Sequence, residues 1–416
     1  MKTHDPMEYI RGLQQLLISD KKRIAFLFGA GTSLAKKNDK SIFIPAIDDL
    51  TKQIENELCK DSSYKKALVE IKQELEEKGK YTVETLLSNI DQKCVVIGKG
   101  KLNGLKEENF FELKAEIKRL IKEKMNIHKD FVAENSIHVD FAEWIGRANK
   151  KYAIEIFTTN YDYFFELGLE YKKIPYYDGF TGSFCPFFNA DSVDKMDFLP
   201  SQTKLWKMHG SLGWYYDEKN EKIIRKENNS EDLLIYPTLL KYDESRKQPF
   251  IALGDRLTKF LNQADTILIT CGYSFGDEHI NERILTALKS NLLTHVYVLF
   301  FDKNLTEDSP ICKIAKLESK ISIFSQRHAI IGSQYGVWKL NSEPDKDDLI
   351  PVALFFDEDA SNSPETEIGK ELKGTEVWTG EGELRITDFN FFVSFLQSMM
   401  FPDNVILSHS EEGRIK

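Results

Sequence analysis

Asn160 and His209 are the two side chains of this 416-residue chain that most invite a catalytic interpretation. Asn160 follows an apolar run, and its amide can donate and accept at once, so it could orient a sugar hydroxyl or hold a water against an anomeric carbon. His209 precedes a glycine, and its ordinary pKa of about 6.5 would let it accept a proton from such a hydroxyl at neutral pH. Local sequence alone favours Asn160 and Asp162 as caps of the next helix, and it also allows His209 to pack among apolar neighbours.

A second candidate is the turn directly after the apolar run 24–28. It consists of Gly29, Ala30, Gly31, Thr32 and Ser33. Such small residues let backbone N–H groups approach a phosphate at a helix N-terminus, but packing between segments selects glycines as well. The turn matches neither the Walker pattern nor a complete GxGxxG, which disfavours ATP binding of the P-loop type.

A third candidate follows the apolar run 266–271. Gly272 would allow close backbone approach, and Ser274 could bond to a ribose or a phosphate. Asp277 is suited to cap the next helix. The buried side of that helix is predicted to include Ile280, Ile284 and Leu288. His279 is expected in the solvated first turn, outside the site.

The apolar runs that precede these candidates predict strands that are buried on both faces. The runs are residues 24–28, 153–157, 266–271 and 296–301, each followed by a loop and a helix-like segment. This alternation predicts an α/β fold with a Rossmann-like, doubly wound parallel sheet. Ligands bind outside the carboxyl ends of such strands, which is where the candidate residues lie.

Three stretches depart from this alternation. Residues of about 48–150 are rich in Lys and Glu with apolar residues at helical spacing, which predicts an inserted helical subdomain. Residues 179–247, with the β-like piece 233–237, are interpreted as loops and hairpins over the ligand crevice. Residues 331–416 are predicted to form a small appended α+β segment with a mobile acidic loop at 357–380 and a final amphipathic helix, so the main domain spans residues 1–330.

Composition excludes several classes of protein. The formal net charge of −10 argues against broad capture of nucleic acid or anionic membrane, although a local basic groove is compatible with it. The five cysteines form no CxxC pair, so neither a disulfide framework nor a zinc ribbon is expected, and no metal site is predicted. No apolar run reaches the roughly 18 residues that cross a bilayer, and we expect a cytoplasmic protein.

The order and spacing of the motifs resemble the sirtuin-like superfamily over residues 23–330. The matching motifs are GAGTS, a downstream Ile44-Pro45, TTNYD, KMHGS and CGYSFGDEHIN. The resemblance implies that NAD binds this chain as a substrate. It places the phosphates and nicotinamide ribose near the turn that includes Gly29, Ala30, Gly31, Thr32 and Ser33. It places Asn160 and Asp162 beside the nicotinamide ribose, His209 at its hydroxyls, and Gly272 with Ser274 at the adenosine side.

Departures from the sirtuin deacetylases are equally informative. Those enzymes resemble one another in carrying two CxxC pairs after the catalytic His, and this chain has none. Residues 43–48 lack the Asp and Arg of the usual GIPDFR turn, and Thr159 stands where Gln usually precedes the Asn. We therefore expect an NAD pocket without acyl-lysine chemistry.

This combination looks like the sirtuin-like effectors of bacterial antiphage defence. It implies an NAD glycohydrolase, with Asn160, His209 and Asp162 as catalytic residues, that depletes NAD in abortive infection. Chain length and the appended segment look most like the subunit that pairs with a HerA-type ATPase. This likeness implies a homo-oligomer that binds the ATPase. Two alternatives remain open: a non-catalytic subunit that senses NAD or ADP-ribose, and a nuclease subunit, for which the sequence offers no acidic metal cluster.

Overall fold

A ten-stranded sheet forms the centre of the computed structural model, which describes residues 2–226, 248–342, 352–358 and 379–400. The strands of the described residues are β1 (Lys2–His4), β2 (Arg23–Phe28), β3 (Glu155–Thr158), β4 (Tyr176–Tyr177), β5 (Phe180–Thr181), β6 (Phe187–Phe188), β7 (Thr203–Lys207), β8 (Trp214–Asp217), β9 (Lys222–Arg225), β10 (Thr266–Cys271), β11 (His295–Phe300), β12 (Ile321–Ser325), β13 (His328–Ile331), β14 (Gln334–Trp338), β15 (Phe356–Asp357) and β16 (Glu383–Leu384).

The order across the large sheet is β1-β14-β13-β12-β11-β10-β2-β3-β7-β4. Neighbours from β12 to β4 run parallel, whereas β13 pairs antiparallel with both β12 and β14. The predicted α/β class with a Rossmann-like, parallel-dominated sheet is confirmed. The antiparallel pairing of β13 with β12 and β14 was not predicted, because β13 and β14 are short and joined by a tight turn.

Helices cover both faces of the sheet. They are α1 (Pro6–Ile18), α2 (Ala30–Ser33), α3 (Ile47–Leu58), α4 (Ser62–Lys78), α5 (Val83–Val96), α6 (Glu107–Met125), α7 (Ile137–Arg147), α8 (Phe164–Tyr171), α9 (Ala190–Asp194), α10 (Phe250–Leu261), α11 (Glu278–Ser290), α12 (Pro310–Leu317), α13 (Val352–Phe355) and α14 (Phe389–Ser398). None of these helices is long and apolar enough to cross a membrane.

Successive residues of β2 point into two different cores, as the twofold repeat of a strand requires. Phe26 and Phe28 pack on the face that holds α1, α7 and α14. Ala25 and Leu27 pack on the face that holds α10, α11 and α12. Burial on both faces explains why β2 is a continuous apolar run rather than an alternating one.

Helices α3 to α6 pack around a third core of their own. Asp61 caps α4 by accepting from the N–H of Ser63, and Thr82 caps α5 by accepting from the N–H of Thr85. This core also includes Tyr161 and Leu212, which belong to the loops after β3 and β7. The helical segment is therefore in direct contact with two loops of the candidate site, while the predicted boundaries of about 48 and 150 stay a prediction.

The last described elements join the main body of the protein. Strand β14 pairs with β1 and β13, and α14 packs on the face of Phe26, with the rings of Phe28 and Phe389 5.4 Å apart. The predicted boundary at residue 330, between the main domain and the appended segment, stays a prediction. The antiparallel sheet β5-β6-β9-β8 occupies the predicted hairpin region, whereas the β-like piece 233–237 and most of the acidic loop lie outside the described residues.

Candidate active site

The candidate residues lie where the direction of sheet growth reverses. After β2 the chain adds β3 and β7 on one side, and it later adds β10, β11 and β12 on the other. The loops after β10, β2, β3 and β7 are thus neighbours at one edge of the sheet. This is the topological switch point at which open α/β sheets bind ligands.

The turns after β2 and β10 pack backbone against backbone. Gly31 N–H donates to Gly272 O (3.0 Å), and Gly29 N–H donates to Cys271 O (3.3 Å). A Cβ at Gly31 would lie 2.6 Å from the Cα of Gly272, and Gly272 itself has a φ of +64°. Packing between the two turns therefore accounts for these glycines, and α2 is only a single helical turn. The assignment of Gly29, Ala30, Gly31 and Thr32 to the NAD phosphates stays a prediction.

Gly31→Ala is expected to lower the free energy of unfolding by about 1–3 kcal/mol, because backbone atoms of Gly272 cannot move aside as a flexible side chain would. Gly12→Ala, in the middle of α1 with nothing within 4 Å of the added Cβ, is the matched control. It should leave stability unchanged or raise it by up to about 1 kcal/mol. Equal urea midpoints for Gly31→Ala and the parent protein would show that the turns are not tightly packed.

The side chain of Asn160 bonds to the turn after β2 rather than to the start of α8. Nδ2 donates to Gly29 O (3.0 Å), Thr32 Oγ1 (3.0 Å) and Ser33 Oγ (2.8 Å). The carbonyl oxygen of Gly29 can only accept, which fixes Nδ2 as the atom that faces the turn. Oδ1 is consequently the atom with which Asn160 can accept a hydrogen bond from a hydroxyl or a water.

Asp162 bonds to the start of α8 and also to Ser33 in the turn after β2, while its place beside the nicotinamide ribose stays a prediction. Its Oδ1 accepts from the N–H of Phe164 at the start of α8 (3.0 Å), and its Oδ2 accepts from Ser33 Oγ (2.6 Å). Since the hydroxyl proton of Ser33 is committed to Asp162, Ser33 must accept from Asn160. The hydrogen bonds therefore run in one direction, from Asn160 through Ser33 to the buried carboxylate.

His209 lies after β7 at the position equivalent to that of Asn160 after β3. Thr158 pairs with Lys207, so each of the two residues lies two positions beyond a paired residue on neighbouring strands. The rings of His209 and Tyr161 have centroids 6.5 Å apart. His209 Nε2 lies 2.8 Å from Asp277 Oδ2, a contact that the sequence did not predict.

Ser274 stands apart from this group. It is exposed, and its Oγ accepts from the N–H of Gly276 (3.3 Å), so it belongs to the loop after β10 without bonding to Asn160 or His209. Its assignment to the adenosine side, with Gly272, stays a prediction. Among the described residues there is no group of three His, Cys, Asp or Glu side chains that could hold a metal ion.

A buried ion pair lies next to Asp162 and joins β7 to α8. Lys207, 1% exposed, places Nζ 3.0 Å from Glu166 Oε1 and also donates to Asp162 O. Burial raises the pKa of Glu166, while the charge of Lys207 opposes that shift. The pair ties β7 to α8 and to the backbone of Asp162. The sequence did carry a signal for it, since a lysine inside a buried strand requires an anionic partner.

Lys207→Met is expected to lower the free energy of unfolding by about 3–5 kcal/mol near neutral pH, because Glu166 would be left buried without a cation. A carboxyl whose folded pKa is raised contributes stability below its unfolded pKa and loses it as pH rises through the folded pKa. The loss in free energy of unfolding, measured by urea denaturation relative to the parent protein, should therefore become smaller as the pH is lowered from about 8 to about 5.

The double variant Lys207→Met/Glu166→Gln is the matched control for that experiment. It removes the buried carboxylate and should recover most of the lost stability with a flatter pH dependence. Equal deficits in the single and double variants would contradict the account of the ion pair.

One comparison with known proteins found a related domain family. Residues 154–320 match the model of the SIR2-like domain. The matched region contains Asn160, Asp162, His209 and the loop after β10, whereas the turn at Gly29 precedes it. A search of curated proteins found no match. SIR2-like domains bind NAD and are often NAD-dependent enzymes, so the match and the parallel-dominated sheet support a sirtuin-like protein.

Proposed function

We propose that this chain is an NAD glycohydrolase. The bond between the nicotinamide nitrogen and C1′ of the ribose breaks, and its electron pair neutralises the pyridinium ring. A water oxygen bonds to C1′, and one proton is released, so NAD and water give nicotinamide, ADP-ribose and H⁺. The observation that carries the proposal is the directed hydrogen bonding of Asn160, which leaves its Oδ1 as acceptor at the switch point, while His209 lies at the equivalent position after the neighbouring strand.

The chemistry asks little of a general acid, because the leaving group is cationic before the bond breaks and neutral afterwards. The protein must instead orient the ribose, place the water and stabilise positive charge that develops at C1′. Asn160 Oδ1 would accept from the ribose hydroxyl or the water. The buried carboxylate of Asp162 supplies negative charge, and His209 would accept the released proton.

Three incubations separate this function from its alternatives. Purified full chain is mixed with NAD, with ADP-ribose, or with DNA and a divalent metal, and products are resolved by chromatography. A glycohydrolase forms nicotinamide and ADP-ribose from NAD alone. A sensing subunit binds NAD or ADP-ribose and leaves it intact, and a nuclease subunit cuts the DNA.

We further propose that the NAD cleavage serves abortive infection, in the cytoplasm, within an assembly of several copies of this chain and a HerA-type ATPase. The support is the order of the motifs and the absence of paired CxxC motifs from the sequence, both features that resemble the defence effectors. Co-expression with a HerA-type ATPase should yield one complex on size exclusion, and phage infection should lower cellular NAD. Separate elution of the two proteins, with NAD unchanged on infection, would argue against this role.

A further inference from the structure

Asp277 binds two parts of the protein with its two carboxylate oxygens. Oδ1 accepts from the backbone N–H groups of His279 (3.0 Å) and Ile280 (3.1 Å), as expected for the residue that caps α11. Oδ2 lies 2.8 Å from Nε2 of His209. Helix capping uses only the first oxygen, so it does not explain the second contact.

The contact joins two loops that are separated in the sheet. His209 follows β7 and Asp277 follows β10, and between those strands lie β2 and β3, whose ends carry Ser33 and Asn160. The hydrogen bond from His209 to Asp277 therefore spans the candidate site. Both side chains are buried, which shields the bond from competition with bulk water.

The loop that carries Asp277 is itself held in place. Asn281 Nδ2 donates to Phe275 O (2.7 Å), and Tyr273 Oη donates to Asn281 Oδ1 (3.0 Å). Phe275 has a φ of +58°, which a bulky side chain adopts only where surrounding contacts impose it. The hydrogen bonds of this loop and of the N-terminus of α11 therefore hold the carboxylate of Asp277 in its position next to His209.

We propose that Asp277 is the positioning residue of His209: it fixes the ring orientation and the tautomer of the imidazole. A carboxylate can only accept, so the neutral imidazole must carry its proton on Nε2. If the imidazole takes up a second proton, the same carboxylate stabilises the resulting charge. For catalysis the inference rests on the proposed NAD cleavage, whereas the tautomer can be measured without it.

Two substitutions separate this role from helix capping. Asp277→Asn keeps an oxygen for the N–H groups of α11 but offers His209 an amide donor, which requires an unprotonated Nε2 and hence the other tautomer. Asp277→Ser keeps a capping oxygen and removes the contact with His209. Asp61→Asn, at the N-cap of α4, is the matched control, since Asp61 accepts from Ser63 and lies in the helical segment.

The experiment measures melting, NAD turnover and the ring ¹⁵N signals of His209 in the full chain, with His209→Ala used to assign those signals. In Asp277→Asn we expect near-parental melting, turnover reduced by roughly 100-fold and signals that change from the Nε2-protonated to the Nδ1-protonated form. Asp277→Ser should also lose turnover, and Asp61→Asn should retain it.

Unchanged ¹⁵N signals in Asp277→Asn would overturn the proposal, and so would parental or increased turnover, the latter indicating that the contact obstructs the site. Failure of the parent protein to cleave NAD would instead count against the proposed function. In that case the ¹⁵N signals still decide whether Asp277 sets the tautomer of His209.

Discussion

Asn160→Ala should reduce NAD cleavage by about 100-fold or more, because the side chain is assigned to position the ribose or the water. The amide also holds the turn after β2 through Gly29, Thr32 and Ser33, so melting must be measured on the same sample. Asn304→Ala, an exposed asparagine in another loop, is the matched control and should retain the parental rate.

Ser33→Ala provides a graded test of the same assignment. It breaks the link between Asn160 and Asp162 but leaves the bonds from Asn160 to Gly29 and Thr32, so the loss of turnover should be smaller than in Asn160→Ala. Folded Asn160→Ala that cleaves NAD at the parental rate would show that the site has been assigned wrongly.

His209→Ala should reduce turnover by about 100-fold while NAD affinity changes much less. The reason is that the imidazole is proposed to interact with the ribose hydroxyls more strongly as charge develops than in the ground state. Affinity would be measured by calorimetry under non-turnover conditions, and product formation by chromatography. His279→Ala, a histidine in the first turn of α11 that the sequence places outside the site, should behave like the parent.

Other outcomes for His209→Ala have distinct meanings. Retained turnover with weakened affinity would make His209 a binding residue and reject its role as base. Loss of turnover, binding and the parental melting temperature together would support the alternative in which His209 is a packed core histidine. Loss of turnover alone would also exclude a purely sensing subunit, which has no turnover to lose.

The strands and the caps could be predicted because their signals are local. The apolar run at residues 24–28 reflects burial on both faces, and strand β2 spans Arg23–Phe28. Asp277 caps α11, and the predicted buried residues of that helix are buried. In each case the physical cause of the element lies in a residue and its immediate neighbours along the chain.

The contacts that build the site could not be predicted in the same way. His209 and Asp277 are 68 residues apart, and only the strand order brings them together. The glycines of the turn after β2 pointed equally to phosphate and to packing, and the partner that shows their packing role, Gly272, lies in the loop after another strand. Asp162 bonds both to the start of α8 and to Ser33, because a carboxylate has two oxygens, and only the first of these contacts is local in the sequence.

Product analysis of NAD incubated with the purified full chain, with and without the proteins encoded beside it, tests the central claim most directly. We expect nicotinamide and ADP-ribose in equal amounts under at least one of these conditions, and neither product when Asn160→Ala replaces the parent. Intact NAD under every condition, with NAD binding still measurable by calorimetry, would contradict the assignment of this chain as an NAD glycohydrolase.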